Sequence, residues 1–184
     1  MGNLTMLFFT LVSLVTTIAA KVDGKVASLA PAIPSESEAV NLNRIGVETK
    51  KHFEVHSAMK MNWYDALVYC KSRHYDLATV RSEEENYQLL VALQKAGIPT
   101  GTTWIGGTRL SSAQEEFFWI TDGRPVNNEY VNWQPGEPNN GNAHNERCVE
   151  YFYDPSGYHE SNLAWNDQAC ATENYFACEY FTTY

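Results

Sequence analysis

The chain has 184 residues, a length that favours one folded domain with extensions over two domains. Its formal net charge is −9, which argues against nucleic acid as a partner, because phosphate recognition needs a surplus of Lys and Arg. An acidic surface suits the capture of cations, and it also keeps a secreted protein soluble. The charge therefore excludes one class of partner without selecting a function.

The first 20 residues contain no Asp, Glu, Lys or Arg, are apolar from Leu7 to Ile18, and end in Ala19 and Ala20. This pattern is typical of a secretory signal peptide, although the usual basic start is missing, and an uncleaved anchor is the alternative. We expect residues 1–20 to be removed and the protein to be secreted. No later stretch approaches the roughly 18 consecutive apolar residues of a membrane span, so we expect no membrane insertion.

Two helices are predicted next in chain order, after a lead-in over residues 21–51 that mixes prolines, serines and charges and is expected to be flexible. Asn62 precedes apolar residues at helical spacing, which predicts a helix over residues 62–73 with Asn62 as its N-cap. Ser82 and Glu85 have the spacing of a capping box, which predicts the start of a second helix.

Beyond Pro99, short apolar and aromatic runs alternate with turn residues, which is typical of strands. The predicted strands cover residues 102–105, 117–121, 148–153 and 175–180. Residues 135–145 are rich in Gly and Asn and predict a long loop. Helices that precede strands in this way favour an α+β fold.

Four cysteines, an even number in a chain with a secretory leader, predict two disulfides. They are Cys70, Cys148, Cys170 and Cys178. Their spacing and the absence of a neighbouring histidine at the nearest pair disfavour zinc. Four cysteines allow three pairings, and the residues alone do not choose among them.

Oxygen-bearing side chains accumulate around the long loop and before Cys148 and Cys170. Calcium prefers such oxygens, roughly six to eight of them, from carboxylates, amides, backbone carbonyls and water. The candidate ligands are Glu137, Asn139, Glu146, Asn166 and Asp167. Their three carboxylates exceed the two charges of the ion. We therefore predict a calcium site, and we predict a cis Glu137-Pro138 bond, since X-Pro bonds adopt the cis form at modest cost.

In these features the chain resembles the C-type lectin family over residues 52–180. The matching elements are the four cysteines, Trp104-Ile105-Gly106-Gly107, Asn132-Trp133, Glu137-Pro138-Asn139 and Trp165-Asn166-Asp167. The resemblance implies an α+β domain with two helices, mixed small sheets and a long calcium-binding loop. It also implies the disulfides Cys70–Cys178 and Cys148–Cys170, calcium ligation by the five residues named above, and a short tail at 181–184.

Calcium-dependent sugar binding is the function that this resemblance implies, with two sugar hydroxyls completing the calcium shell. The five ligands would also contact the sugar, and His144 is added as a candidate sugar contact. A Glu-Pro-Asn triplet implies mannose, fucose or N-acetylglucosamine, and galactose stays as an alternative. A secreted insect-type member with a single recognition domain is implied, acting on microbial or cell-surface glycans in innate defence, with oligomers as a possible source of avidity.

Additional calcium ions of some family members are not expected here, because the acidic residues that hold them are replaced. The replacements are Leu110, Gln114, Asn140 and Arg147. We therefore expect one principal calcium ion.

Two other functions compete with the lectin interpretation. A protein-binding module with the same fold is disfavoured because such relatives usually lose the calcium residues, and all five are present. An enzyme is disfavoured because the sequence has no Gly-x-Ser-x-Gly elbow, no His-Glu-x-x-His helix and no phosphate-binding glycine loop. We expect a binding protein.

Overall fold

The computed structural model describes residues 48–109, 116–141, 145–156 and 163–184. The predicted signal peptide, nearly all of the lead-in and His144 lie outside these ranges. In order, the described elements are β1 (Thr49–Met61), α1 (Trp63–Ser72), β2 (Asp76–Leu77), α2 (Glu83–Lys95), β3 (Gly101–Thr108), β4 (Phe118–Trp119), a 3-10 turn (Val126–Asn128), β5 (Glu146–Tyr153), β6 (Ala164–Ala169) and β7 (Asn174–Thr183). Neither described helix has the length and apolar character that a bilayer crossing requires.

Both predicted helices are confirmed, and their first turns show why they begin where they do. The Asn62 side chain accepts a hydrogen bond from the Asp65 amide at 2.9 Å, which caps α1. Ser82 caps α2 through the Glu85 amide at 3.1 Å. The Glu85 carboxylate accepts from the Arg81 backbone amide at 2.8 Å. In a standard capping box it would accept from the N-cap residue itself, so the return bond here reaches one residue further back.

The seven described strands form one mixed sheet, where the resemblance implied mixed small sheets. The main order is β1-β7-β3-β5-β6, with β2 added to β7 and β4 added to β3. The β3–β7 pair is parallel, and the other strand pairs are antiparallel. Two helices with this sheet confirm the α+β prediction.

The boundaries of the folded part extend beyond the predicted ones at both ends. Strand β1 begins at Thr49, inside the predicted lead-in of 21–51, and pairs there with Thr183 in the predicted tail. The pairing stabilises these weakly apolar ends, because each strand supplies backbone partners to the other. Strand β6 was not predicted either, since its Trp-Asn-Asp-Gln sequence carries little local β signal.

The predicted disulfide pairings are confirmed. Cys70–Cys178 joins α1 to β7 over a separation of 108 residues, and it lies in a buried cluster with Trp63 and Trp104. Cys148–Cys170 joins β5 to the residue that follows β6 over a separation of 22 residues. The second bridge therefore fixes the end of the sheet at which the candidate calcium ligands lie.

Candidate functional site

The site loop, residues 132–141, is anchored along β6 by backbone hydrogen bonds and by an edge-to-face pair of aromatic rings. The Trp165 amide donates to the Asn132 carbonyl at 2.7 Å, and the Gln134 amide donates to the Trp165 carbonyl at 2.8 Å. The rings of Trp133 and Trp165 pack edge to face, with centroids 5.7 Å apart. Trp165 is fully buried, so the loop is attached to the core on the side that faces β6.

Asp167 is the buried centre of the site. Its exposed fraction is 0%, and its two carboxylate oxygens accept from the site loop. Oδ1 accepts from the Asn139 amide and Oδ2 from the Asn140 amide, each at 3.0 Å. A buried carboxylate needs such partners, so these bonds fix the loop backbone over the end of β6.

Glu137 and Asn139 lie together at the surface end of the site, on either side of a cis Glu137-Pro138 bond that confirms the prediction. The Glu137 carboxylate accepts from the Asn139 backbone amide at 3.0 Å and from its side-chain amide at 2.7 Å. The Asn139 side-chain oxygen accepts from the Gly141 amide at 2.6 Å.

Glu146, the first residue of β5, closes the other side of the site. Gly141 lies so close to it that a Cβ atom at position 141 would be 2.6 Å from the Glu146 Cδ. Burial raises the pKa of Glu146, the charge of Asp167 raises it further, and Arg109 opposes the shift. The Glu146 carboxylate is therefore within electrostatic reach of the other acidic groups.

The electrostatics of Glu137 show how closely the acidic groups crowd together. Burial, a hydrogen bond with Asp167, and the charges of Asp167 and Glu146 raise the pKa of Glu137 to about 6, against a backbone bond from Asn139. Neighbouring carboxylates that raise the pKa of Glu137 in this way lack full charge compensation. A cation is the group that would relieve the repulsion.

Asn166 is the predicted ligand whose observed contacts lead away from the other four. Its side-chain amide donates to Glu150 Oε1 at 3.0 Å, and Glu150 Oε2 accepts from Asn174 at 2.7 Å. Successive residues of a strand point to opposite faces, so Asn166 and its neighbour Asp167 diverge on β6. Burial raises the pKa of Glu150, and its two amide donors oppose that shift.

The donor chemistry fits calcium, but the ligands are not closed around a metal position. In the described ranges, no group of three or more His, Cys, Asp or Glu side chains is arranged to hold a metal ion. Calcium also uses amide and backbone oxygens, which Asn139 and the surrounding loop provide. The crowded carboxylates at Glu137, Glu146 and Asp167 and the Gly141 backbone beside Glu146 match an oxygen-lined cation site.

Arg109 was not predicted as part of the site. It follows β3 directly, and its guanidinium lies 3.2 Å from Asp167 Oδ2. Nothing in the local sequence marks it, since only the pairing of β3 with β5 brings it to Glu146. His144 and two replaced auxiliary positions, Leu110 and Gln114, lie outside the described residues, so their predicted roles stay predictions.

Comparisons with known proteins agree with this fold. The Lectin C-type domain matches residues 59–180. Salivary C-type lectin 2 of Aedes albopictus is 32% identical over 120 residues, which are 64% of this chain and 76% of the relative. The mouse scavenger receptor C-type lectin carbohydrate-recognition domain is similar with a TM-score of 0.55 and 31% identity, over 71% of this chain and 87% of that one.

A calcium-independent type II antifreeze protein is also similar, with a TM-score of 0.53 and 27% identity, over 71% of this chain and 85% of that one. The fold is therefore shared by proteins with different functions. The family match covers most of the described residues, including both disulfides and the whole candidate site. This chain belongs to the C-type lectin family.

Proposed function

We propose that this protein is an extracellular lectin that binds sugars through a calcium ion held by Glu137, Asn139, Glu146, Asn166 and Asp167. The supporting observation is the cluster of three carboxylates and one amide at the junction of the site loop with β5 and β6. Asn166 donates its side-chain amide nitrogen to Glu150 at 3.0 Å, so its amide oxygen is the atom that would ligate calcium.

Bound calcium would supply open coordination positions for two neighbouring hydroxyl oxygens of a sugar. The protein's own groups set the orientation of those hydroxyls. Asn139 donates its side-chain amide to Glu137 at 2.7 Å, so a donor and an acceptor face each other at the surface. A hydroxyl that enters between them can accept from the amide and donate to the carboxylate.

Mannose, fucose or N-acetylglucosamine is the proposed ligand class, because Glu137 and Asn139 form the Glu-Pro-Asn triplet. Galactose is the alternative within the same mechanism. Such a site makes a few hydrogen bonds and little apolar contact, so it binds a monosaccharide weakly. Useful avidity then requires several domains displayed together, and we propose glycans on microbial or cell surfaces as targets in innate defence.

A glycan array tests this proposal. We expect mannose-type glycans to bind with calcium, to be released by a chelator, and to bind again when calcium is restored. The double variant Glu137→Gln with Asn139→Asp should lose mannose-type binding by at least about tenfold, because the donor and acceptor change places. Glu129→Gln is the control, because Glu129 is exposed and lies outside the site, and it should leave glycan binding unchanged.

Binding that survives chelation would contradict the mechanism. Galactose binding by the unsubstituted protein would leave the calcium mechanism in place but contradict the proposed mannose-type ligand class. Turnover of a glycoside by pure protein would contradict the proposal that this is a binding protein and not an enzyme.

A calcium-independent binding module is the second candidate. It is favoured by Asp167, whose oxygens already accept from two loop amides and from Arg109, so the buried carboxylate has partners without an ion. The similarity to a calcium-independent antifreeze protein is consistent with that use of the fold. Calorimetry that detects no heat of calcium binding at millimolar concentration would favour this candidate.

A further inference from the structure

Arg109 brings a positive charge into the acidic cluster of the site. Its Nη2 and Nε donate to the Glu146 carbonyl oxygen at 2.8 and 3.1 Å. Nη2 also donates to Asp167 Oδ2 at 3.2 Å. One guanidinium therefore joins the backbone of one proposed calcium ligand to the side chain of another.

The guanidinium of Arg109 is fixed in place and does not extend freely into solvent. Its side chain is 16% exposed, and it stacks 4.8 Å from the centre of the Phe117 ring. The Arg109 backbone amide donates to the Arg147 carbonyl at 2.9 Å, which continues the pairing of β3 with β5. The planar donor fork holds the charge at a set position beside Asp167.

The charges of the site balance only when Arg109 is included. Glu137, Glu146 and Asp167 carry one more negative charge than a calcium ion can neutralise. The charge of Arg109 removes that excess in the calcium-bound site and compensates part of the acidic charge in the calcium-free site. Asp167 is fully buried, where an uncompensated charge is most costly.

We propose that Arg109 is a tethered counter-cation that stabilises the ionised carboxylates of the calcium-free protein, a task that calcium partly takes over when it binds. This inference rests on the proposed calcium site. A group that stabilises the calcium-free state more than the bound state weakens calcium binding by the same factor. Arg109 thus keeps the site folded without the ion and lowers its affinity for the ion.

Arg109→Gln and Arg109→Lys in the full chain test this role, with Arg124→Gln as the matched control. Arg124 is 62% exposed and pairs with Asp122 and Glu129 outside the site. Thermal melting in chelator and calorimetric titration with calcium chloride are the two measurements. We expect Arg109→Gln to melt lower in chelator and to bind calcium about three- to tenfold more tightly, because the competing charge is gone.

Arg109→Lys keeps the charge and should bind calcium nearly as the unchanged chain does, and Arg124→Gln should not change the affinity. If Arg109→Gln folds only with calcium, the result supports the inference, because the calcium-free fold would then require the Arg109 charge. Equal destabilisation with and without calcium, or failure to fold in both, would show a purely structural role and overturn it. Weaker calcium binding by Arg109→Gln would overturn it as well, because the guanidinium would then position the ligands.

If the unsubstituted protein binds no calcium, the proposed function is wrong. The effect of the Arg109 charge on stability can still be measured in chelator. A lower melting temperature for Arg109→Gln than for Arg109→Lys would support the charge role. Equal melting temperatures of these two variants would contradict it.

Discussion

Gly141 lies where a side chain would collide with the Glu146 carboxylate. A Cβ atom there would be 2.6 Å from the Glu146 Cδ and 2.7 and 2.8 Å from its two oxygens, and the backbone φ is +53°. We expect Gly141→Ala to lower the calcium affinity by at least about tenfold, because Glu146 must move away from the site. Isothermal titration calorimetry with calcium measures this.

Gly136→Ala is the matched control for this substitution. Its φ is +89°, so it also carries the cost of a left-handed backbone, but no atom lies within 4 Å of the added Cβ. Both variants should lose about 1 kcal/mol of unfolding free energy, and only Gly141→Ala should lose calcium affinity. Similar calcium affinities in the two variants would contradict a role for the Gly141–Glu146 approach.

At the scale of single residues, the sequence predicted the chemistry of the site better than its geometry. Oxygen donors at Glu137, Asn139, Glu146 and Asp167 could be recognised from residue type and from the surrounding loop. The contact of Asn166 with Glu150 could not, because it depends on the register of β6 against β5.

The β5–β6 pair is the element that carries the site, and the Cys148–Cys170 bridge closes its end. Replacing both cysteines by Ala should cost about 3 kcal/mol of unfolding free energy, from the entropy of a 22-residue separation. We also expect weaker calcium binding, because Glu146 and Asp167 lie on the two joined strands. Chemical denaturation and calcium titration measure the two effects.

Removal of the Cys70–Cys178 bridge is the control for removal of the Cys148–Cys170 bridge. The Cys70–Cys178 separation of 108 residues implies a larger stability loss, about 4 to 5 kcal/mol, when this bridge is removed. It joins α1 to β7 and does not link β5 to β6, so the calcium affinity of the folded variant should stay near that of the unsubstituted protein. An equal loss of affinity in both variants would show that the bridges act through global stability alone.

For the whole molecule, we expect acid to change the stability of the fold in opposite directions with and without calcium, because of Glu137. Its raised pKa, about 6, means that protonation stabilises the calcium-free fold. This contribution to stability is fully present at pH values below the ordinary pKa of a Glu side chain, and it is lost as pH rises through about 6. With calcium present, protonation competes with the ion, so stability should fall as pH drops from 7 to 5.

Thermal melting of the unchanged chain and of Glu137→Gln, in chelator and in calcium, measures these responses. The difference between the two proteins isolates Glu137, because the buried Glu150 and Glu179, whose pKa values burial also raises, titrate in both. His56, whose pKa burial lowers, contributes with the opposite sign and cancels in the same way. A difference that does not change with pH would contradict the prediction.

The sequence by itself determined the features that depend on local chemistry. Helix caps at Asn62 and Ser82, the cis Glu137-Pro138 bond and the oxygen-rich loop follow from residue type and short spacing, and the resemblance supplied the disulfide pairings. The tertiary structure decided the features that depend on pairing between distant segments. Strand β1 exists because β7 lies beside it, and Arg109 reaches Asp167 because β3, β5 and β6 are neighbours, contacts whose formation no local pattern encodes.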